Sequence, residues 1–126
     1  YHGCVPNRLT QAISTVAWDD DEQVIRNRAV YRDKFNAVID ILDPLMKLNN
    51  PAAGFYLWPE TPIDEEEFSR SLFLTENVVT LPGTYLARDT VTGNPGKNRV
   101  RIALGARLNE CVESAERIRE FITVKM

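Results

Sequence analysis

One long apolar stripe constrains this chain more than any other feature. Tyr31, Phe35, Val38, Ile39, Leu42, Leu45 and Met46 recur at spacings of three and four, the period of a helix that buries one side. A helix is predicted from about Asp20 to Leu42 or slightly beyond, with Pro44 marking its frayed end or a kink. The opposite face carries Arg26, Arg28, Arg32, Asp33 and Lys34. A helix this long, apolar on one stripe and charged on the other, runs along the edge of a domain or connects two.

The 126 residues suffice for one domain, or for a small domain with a piece of a neighbour, and for a core that holds without staples. Acidic residues outnumber basic ones, 18 to 15, the reverse of a generic nucleic-acid binder. No apolar run approaches the roughly 20 residues that span a bilayer, so neither nucleic acid nor membrane is an expected partner. Tyr1 stands where a Met is usual and no signal-peptide pattern follows, so the start is expected to be cut. Cys4 and Cys111 lie too far apart in the chain for a disulfide framework, which points to a reducing, cytoplasmic compartment.

A first helix is predicted over 6–17, with Leu9, Ala12, Ile13, Val16 and Ala17 on one face and Pro6 in its first turn. Asp19 and Glu22 read as the capping box of the long helix. Gly54–Trp58 reads as an aromatic strand ended by Pro59. Asp64 is expected to cap a helix to about Glu76, with Glu67 completing the box and Ile63 stapling to Phe68. That helix should bury Phe68, Leu72 and Phe73. Val78–Leu81 reads as a short strand, and Pro82–Asn98 as a polar stretch without regular structure. Arg99–Leu104 alternates, Val100, Ile102 and Leu104 facing one way and Arg99, Arg101 and Ala103 the other. The last helix, about Leu108 to Thr123, should bury Leu108, Cys111, Val112, Ala115, Ile118 and Ile122. The order implies a small α+β layer, three to four strands with helices packed on one face.

Chemistry concentrates late in the chain. A long connection such as Pro82–Asn98 is usually functional or disordered. Residues 88–101 carry Arg88, Lys97, Arg99 and Arg101 against Asp89 alone, so a bound anion and a solvated basic edge are both open readings. Arg101 sits in mid-strand, where its planar fork is rigidly presented and matches a carboxylate bidentately. Gly93–Asn98 resembles a phosphate loop, but the spacing is wrong and neither Ser nor Thr follows Lys97. His2 is the single histidine, so a Ser-His-Asp triad or a His-based metal site is not expected. Asp64–Glu67 reads as helix capping. No complete catalytic set is visible.

Three segments, Ala53-Gly54-Phe55-Tyr56-Leu57-Trp58, Leu81-Pro82-Gly83-Thr84-Tyr85 and Asn98-Arg99-Val100-Arg101-Ile102-Ala103-Leu104, resemble in order and spacing the C-terminal part of fold-type I aminotransferases, which use pyridoxal 5′-phosphate. Further words look like the subgroup acting on N-succinyldiaminopimelate: Tyr1-His2-Gly3-Cys4, the Trp-Asp-Asp stretch at 18–20, Tyr85-Leu86-Ala87-Arg88, Asn94-Pro95-Gly96 and Leu108 to Ile118.

The resemblance implies an amino-group transfer between glutamate and N-succinyl-2-amino-6-ketopimelate, in lysine and diaminopimelate biosynthesis. It makes Arg101 the group that holds the substrate α-carboxylate. Pro82 and Gly83 become the turn at the active-site edge, and Arg88 a second anion contact for a succinylated substrate. Residues 1–18 become the tail of the large cofactor-binding domain, 19–42 an interdomain helix and 43–126 the small domain of a homodimeric enzyme. The family's cofactor lysine lies upstream, in a context that Lys34, Lys47, Lys97 and Lys125 do not share. The chain alone is therefore expected to hold no cofactor and to be inactive. An aminotransferase for aspartate, alanine or aromatic amino acids, or a non-catalytic α+β interaction domain, remain the alternatives.

Overall fold

The computed structural model describes residues 3–126. Tyr1 and His2, with the readings that fall on them, lie outside the described residues. The chain divides into two compact units, Tyr1–Val30 and Tyr31–Met126.

In the first unit, α1 runs from Arg8 to Trp18 and is capped by Asn7, whose side chain accepts the Thr10 N–H at 2.9 Å. Pro6 thus precedes the cap instead of sitting in the first turn. None of α1 is buried: Leu9, Ile13 and Val16 are all more than half exposed. Helix α2, Asp21–Leu42, begins in this unit. Its cap is Asp20, which accepts the Gln23 N–H at 3.2 Å. Asp19 instead ends α1, its N–H donating to the Thr15 carbonyl. The turn needs one more residue than the capping-box pattern allowed.

The second unit takes the rest of α2, then β1 (Tyr56–Leu57), α3 (Glu65–Glu76), β2 (Leu81–Pro82), a 3₁₀ turn at Gly83–Tyr85, β3 (Val100–Ala103) and α4 (Leu108–Glu120). The strands form an antiparallel sheet in the order β1-β3-β2. The β1 register extends past its ends. Leu104 N–H donates to the Phe55 carbonyl, Val100 N–H to that of Pro59, and Glu60 faces Arg99. Pro59 supplies only a carbonyl there, which an edge strand tolerates.

Period-two alternation sends Val100, Ile102 and Leu104 into the core with Leu57. The stripe of α2 meets them with Phe35, Val38, Leu42 and Met46; α3 adds Phe68 and Leu72; α4 adds Cys111, Ala115 and Ile118. Burial raises the Cys111 thiol above its usual pKa. Phe121 stacks edge-on to Phe68, ring centroids 5.6 Å apart. Lys125 pairs with Glu76, and Arg117 donates to the Glu76 carbonyl, tying the last turn to the end of α3.

Four more expectations are corrected in this second unit. Lys34 is not on the solvated face: it is 6% exposed, and its ammonium donates to the Leu104 carbonyl at 3.1 Å. Phe73 is half exposed because it lines a surface hollow and not the core. Leu108 is 43% exposed, since the buried stripe of α4 starts one turn later, at Cys111. The strand expected over 78–81 pairs only at Leu81–Pro82. Before it, left-handed Asn77 ends α3 and the Thr80 hydroxyl is tied to that of Ser69.

Phe68 is fully sealed and packs on Phe121, just after α4. Phe68→Ala should lower the unfolding free energy by about 3–5 kcal/mol, read from urea denaturation. A loss under about 1 kcal/mol would contradict this core assignment.

Candidate functional site

The outward face of the sheet is built by the same alternation that fills the core. Arg101 and Ala103 leave β3 on that side, and Arg99 just before the strand continues the alternation. Arg101 stands opposite Leu81 of β2 and lies near Tyr56 of β1, its guanidinium carbon 5.9 Å from the ring centroid. The side chain is half-buried. Its Nε is shut off from water and has no hydrogen-bond partner. Among the described residues no carboxylate stands within ion-pair distance of it. An unpaired buried donor is costly, and a carboxylate on this guanidinium would remove that cost.

Arg99 is different. It donates to the Trp58 carbonyl at 3.1 Å and to Glu60 at 2.6 Å, so its charge is already used inside the fold. Glu60 also lies 3.7 Å from Lys47. Arg88 and Lys97 are exposed. The basic window thus divides into one structural arginine, two solvated cations and one half-buried arginine.

Pro82 and Gly83 are buried beside Arg101's strand. Pro82 pairs with Val100, and the Gly83 N–H donates to the Arg99 carbonyl at 2.7 Å. Pro82 and Tyr85 also border the hollow with Glu67, Arg70, Phe73 and Val79. Arg88 lies beyond this group, and no hydrogen bond or ion pair among the described residues ties it to Arg101.

The connection from Pro82 to Asn98, expected to be irregular, is closed on itself. Thr90 and Gly93 exchange both backbone hydrogen bonds at 3.1 Å. Asn94 donates to Asp89 and accepts the Gly96 N–H, each at 2.9 Å. Its two ends meet where Gly83 packs on Gly96. A Cβ on Gly96 would lie 2.7 Å from the Thr84 nitrogen, and one on Gly83 2.8 Å from the Arg99 carbonyl oxygen.

Glu65 is a residue that sequence reasoning passed over. It is the first residue of α3, 3% exposed, and accepts the Asn98 N–H at 2.7 Å. Asp64 caps the helix through the Glu66 and Glu67 N–H groups as expected. In the run Asp64–Glu67, Glu65 is the acid that is buried. Burial pushes the Glu65 carboxyl up, but the N–H groups of Glu65 and Asn98 outweigh it and hold the group below the usual carboxylate range.

The four lysines are held, or exposed, one by one. Lys34 is bound to a strand carbonyl, Lys47 lies beside Glu60, Lys125 is paired with Glu76, and Lys97 is exposed on the loop. The four stand at separate places in the chain.

No protein-family model matches the chain. Transaminase BacF of Bacillus subtilis is 28% identical over 120 residues, covering 91% of this chain and 27% of that protein. An aminotransferase structure from Neisseria meningitidis superposes with a TM-score of 0.90 at 43% identity, over 97% of this chain and 31% of the other. The chain is an aminotransferase homologue. A probable N-succinyldiaminopimelate aminotransferase from Thermus thermophilus also superposes, with a TM-score of 0.63 at 36% identity, over 78% of this chain and 26% of that one. The chain spans about a quarter of the length of the curated aminotransferases it matches, and it corresponds to their C-terminal part. Its small α+β architecture is that of an aminotransferase C-terminal domain.

Two outcomes follow for the loop base. Gly96→Ala should cost about 1–3 kcal/mol by forcing Gly83 and Gly96 apart, read from thermal melts; an unchanged melt would contradict the close approach. The depressed Glu65 carboxyl should contribute stability above its unfolded pKa, lost as pH falls through the lower folded value. Glu65→Gln should therefore flatten the acid limb of stability against pH. An acid limb identical to that of the unaltered chain would contradict the assignment.

Proposed function

We propose that this chain is the part of a fold-type I aminotransferase that holds the substrate's α-carboxylate, and that Arg101 does so. One observation carries the reading: a half-buried guanidinium at the centre of the sheet, with a buried Nε that nothing in the fold satisfies. A carboxylate approaching it side-on would take Nε–H and a terminal N–H together, with the charge-assisted strength of a bidentate pair. The Tyr56 ring centroid lies 5.9 Å from the guanidinium carbon.

The reaction proposed for the whole enzyme is amino-group transfer between glutamate and N-succinyl-2-amino-6-ketopimelate, a step of lysine and diaminopimelate biosynthesis. Support for the substrate comes from the subgroup words in the loop and from the Thermus neighbour, 36% identical. Both substrates carry an α-carboxylate, so one arginine serves both halves of the exchange. Fixing that carboxylate orients the reacting carbon, which is where proximity gives its rate advantage. Pro82 and Gly83 would form the edge of the pocket, and Arg88 would meet the succinyl carboxylate.

Pyridoxal 5′-phosphate, implied by the family, would be bound by the rest of the enzyme. Residues 1–18 are then the tail of its large domain, 19–42 the connecting helix and 43–126 the small domain. A cytoplasmic homodimer completes the proposal.

Arg101→Leu in the whole enzyme should raise KM for every carboxylate substrate by about 10- to 100-fold, the value of a charged hydrogen-bonded contact. Arg88→Ala should raise KM for the succinylated substrate and leave that for glutamate unchanged. Steady-state kinetics with the succinylated keto acid, aspartate, alanine and an aromatic amino acid check the assignment. A wild-type KM in Arg101→Leu would overturn the carboxylate role, and a preference for aspartate, alanine or an aromatic amino acid would overturn the substrate.

A further inference from the structure

Strand β3 carries Arg101 in its middle, and the residues three positions to either side are held by buried charged side chains from two different helices. On one side, Glu65 of α3 accepts the Asn98 N–H at 2.7 Å. The Asn98 carbonyl accepts the Thr61 N–H at 2.8 Å, and Asn98 itself is left-handed at φ 55°, a conformation that Asn adopts more readily than most residues other than glycine. On the other side, Lys34 of α2 donates to the Leu104 carbonyl at 3.1 Å. Its ammonium also lies 4.8 Å from the Tyr31 ring centroid.

Neither charge has an ion-pair partner among the described residues. Glu65 is 3% and Lys34 6% exposed. Burying an unpaired charge opposes folding, and an apolar or amide side chain of similar size fills such a position with less desolvation. What a charge adds is a stronger hydrogen bond; the Glu65 bond is short at 2.7 Å, and the Lys34 bond has an ordinary length of 3.1 Å. β1 and β2 are only two residues each, and beyond them the pairing continues through single bonds, so side-chain bonds at Asn98 and Leu104 add to the hold on β3.

We propose that Glu65 and Lys34 are positioning residues for the carboxylate-binding arginine, holding β3 at both ends and so setting where the Arg101 guanidinium stands. The proposal rests on the role given to Arg101 above. Neither side chain touches substrate; each acts through a main-chain group of a residue flanking the strand. The Glu65 bond also closes the base of the Gly83–Asn98 loop, so it sets the distance between that loop and Arg101.

The test is steady-state kinetics on the whole enzyme with Lys34→Met, Glu65→Ala, Glu65→Gln and Arg101→Leu. Lys34→Met and Glu65→Ala should each raise KM for all carboxylate substrates about tenfold, below the ~100-fold that a 1 Å misplacement can cost. Their kcat should stay within about threefold of wild type. Glu65→Gln retains an acceptor oxygen without the charge and should restore only part of the lost KM. Lys34→Met replaces a buried unpaired charge with an apolar chain of like length, so the test stands even if Glu65→Ala fails to fold. A melting temperature that changes while KM stays at wild type in Lys34→Met would reduce both residues to structural roles and overturn the proposal. If Arg101→Leu raises KM and Lys34→Met does not, the positioning inference fails alone; if Arg101→Leu leaves KM unchanged, both fall.

Discussion

Strand β3 is hydrogen-bonded on both edges and faces two media. Val100, Ile102 and Leu104 are nearly sealed against the helices, and Arg101 leaves on the other side. The side-chain period of a strand is two, so a one-residue slip would carry Arg101 into the core and Val100 out of it. Burying a guanidinium among Leu42, Leu72 and Ile118 would cost far more than the roughly 1.5–3 kcal/mol gained per buried aliphatic chain. The hydrophobic effect thus fixes which way Arg101 points. The polar anchors at Asn98 and Leu104 then refine where along the strand it stands.

The same geometry explains why a basic stretch of sequence does not act as one basic patch. Arg99 and Arg101 leave the same face of one strand, but their neighbours differ. Glu60 stands across from Arg99 and accepts its charge, whereas Arg101 meets Leu81 and the Tyr56 ring. One arginine holds β1 to β3, and the other is left with donor capacity. The loop between the strands is closed by Gly83 against Gly96, an approach that only residues without a Cβ allow.

Much of this could be read from periodicity. The stripes of α2, α3 and α4 and the alternation of β3 are long enough to be unambiguous, and Asp64 announces its helix. The misses have physical causes. A cap can move by one residue without disturbing the stripe behind it, which is why Asp20 and not Asp19 starts α2. Lys34 looks solvated because it follows Arg32 and Asp33, yet it adjoins Phe35, and its acceptor is 70 residues away in sequence. Glu65 sits in a run of four acids, and nothing local marks which one turns inward. Phe73 and Leu108 are apolar but lie off the stripes that meet the sheet. Of the site, Arg101 was legible as a mid-strand arginine, and Pro82 and Gly83 as a turn. Its two supports were not, because both act across the fold.

The central claim is that the outward face of β3 receives a substrate carboxylate. The most direct measurement is a crystal structure of the whole enzyme with bound glutamate. The account predicts the α-carboxylate on Arg101, with Nε–H and one terminal N–H each donating to an oxygen at about 2.7–2.9 Å. An α-carboxylate held by other residues, with the Arg101 Nε still unpartnered, would contradict it.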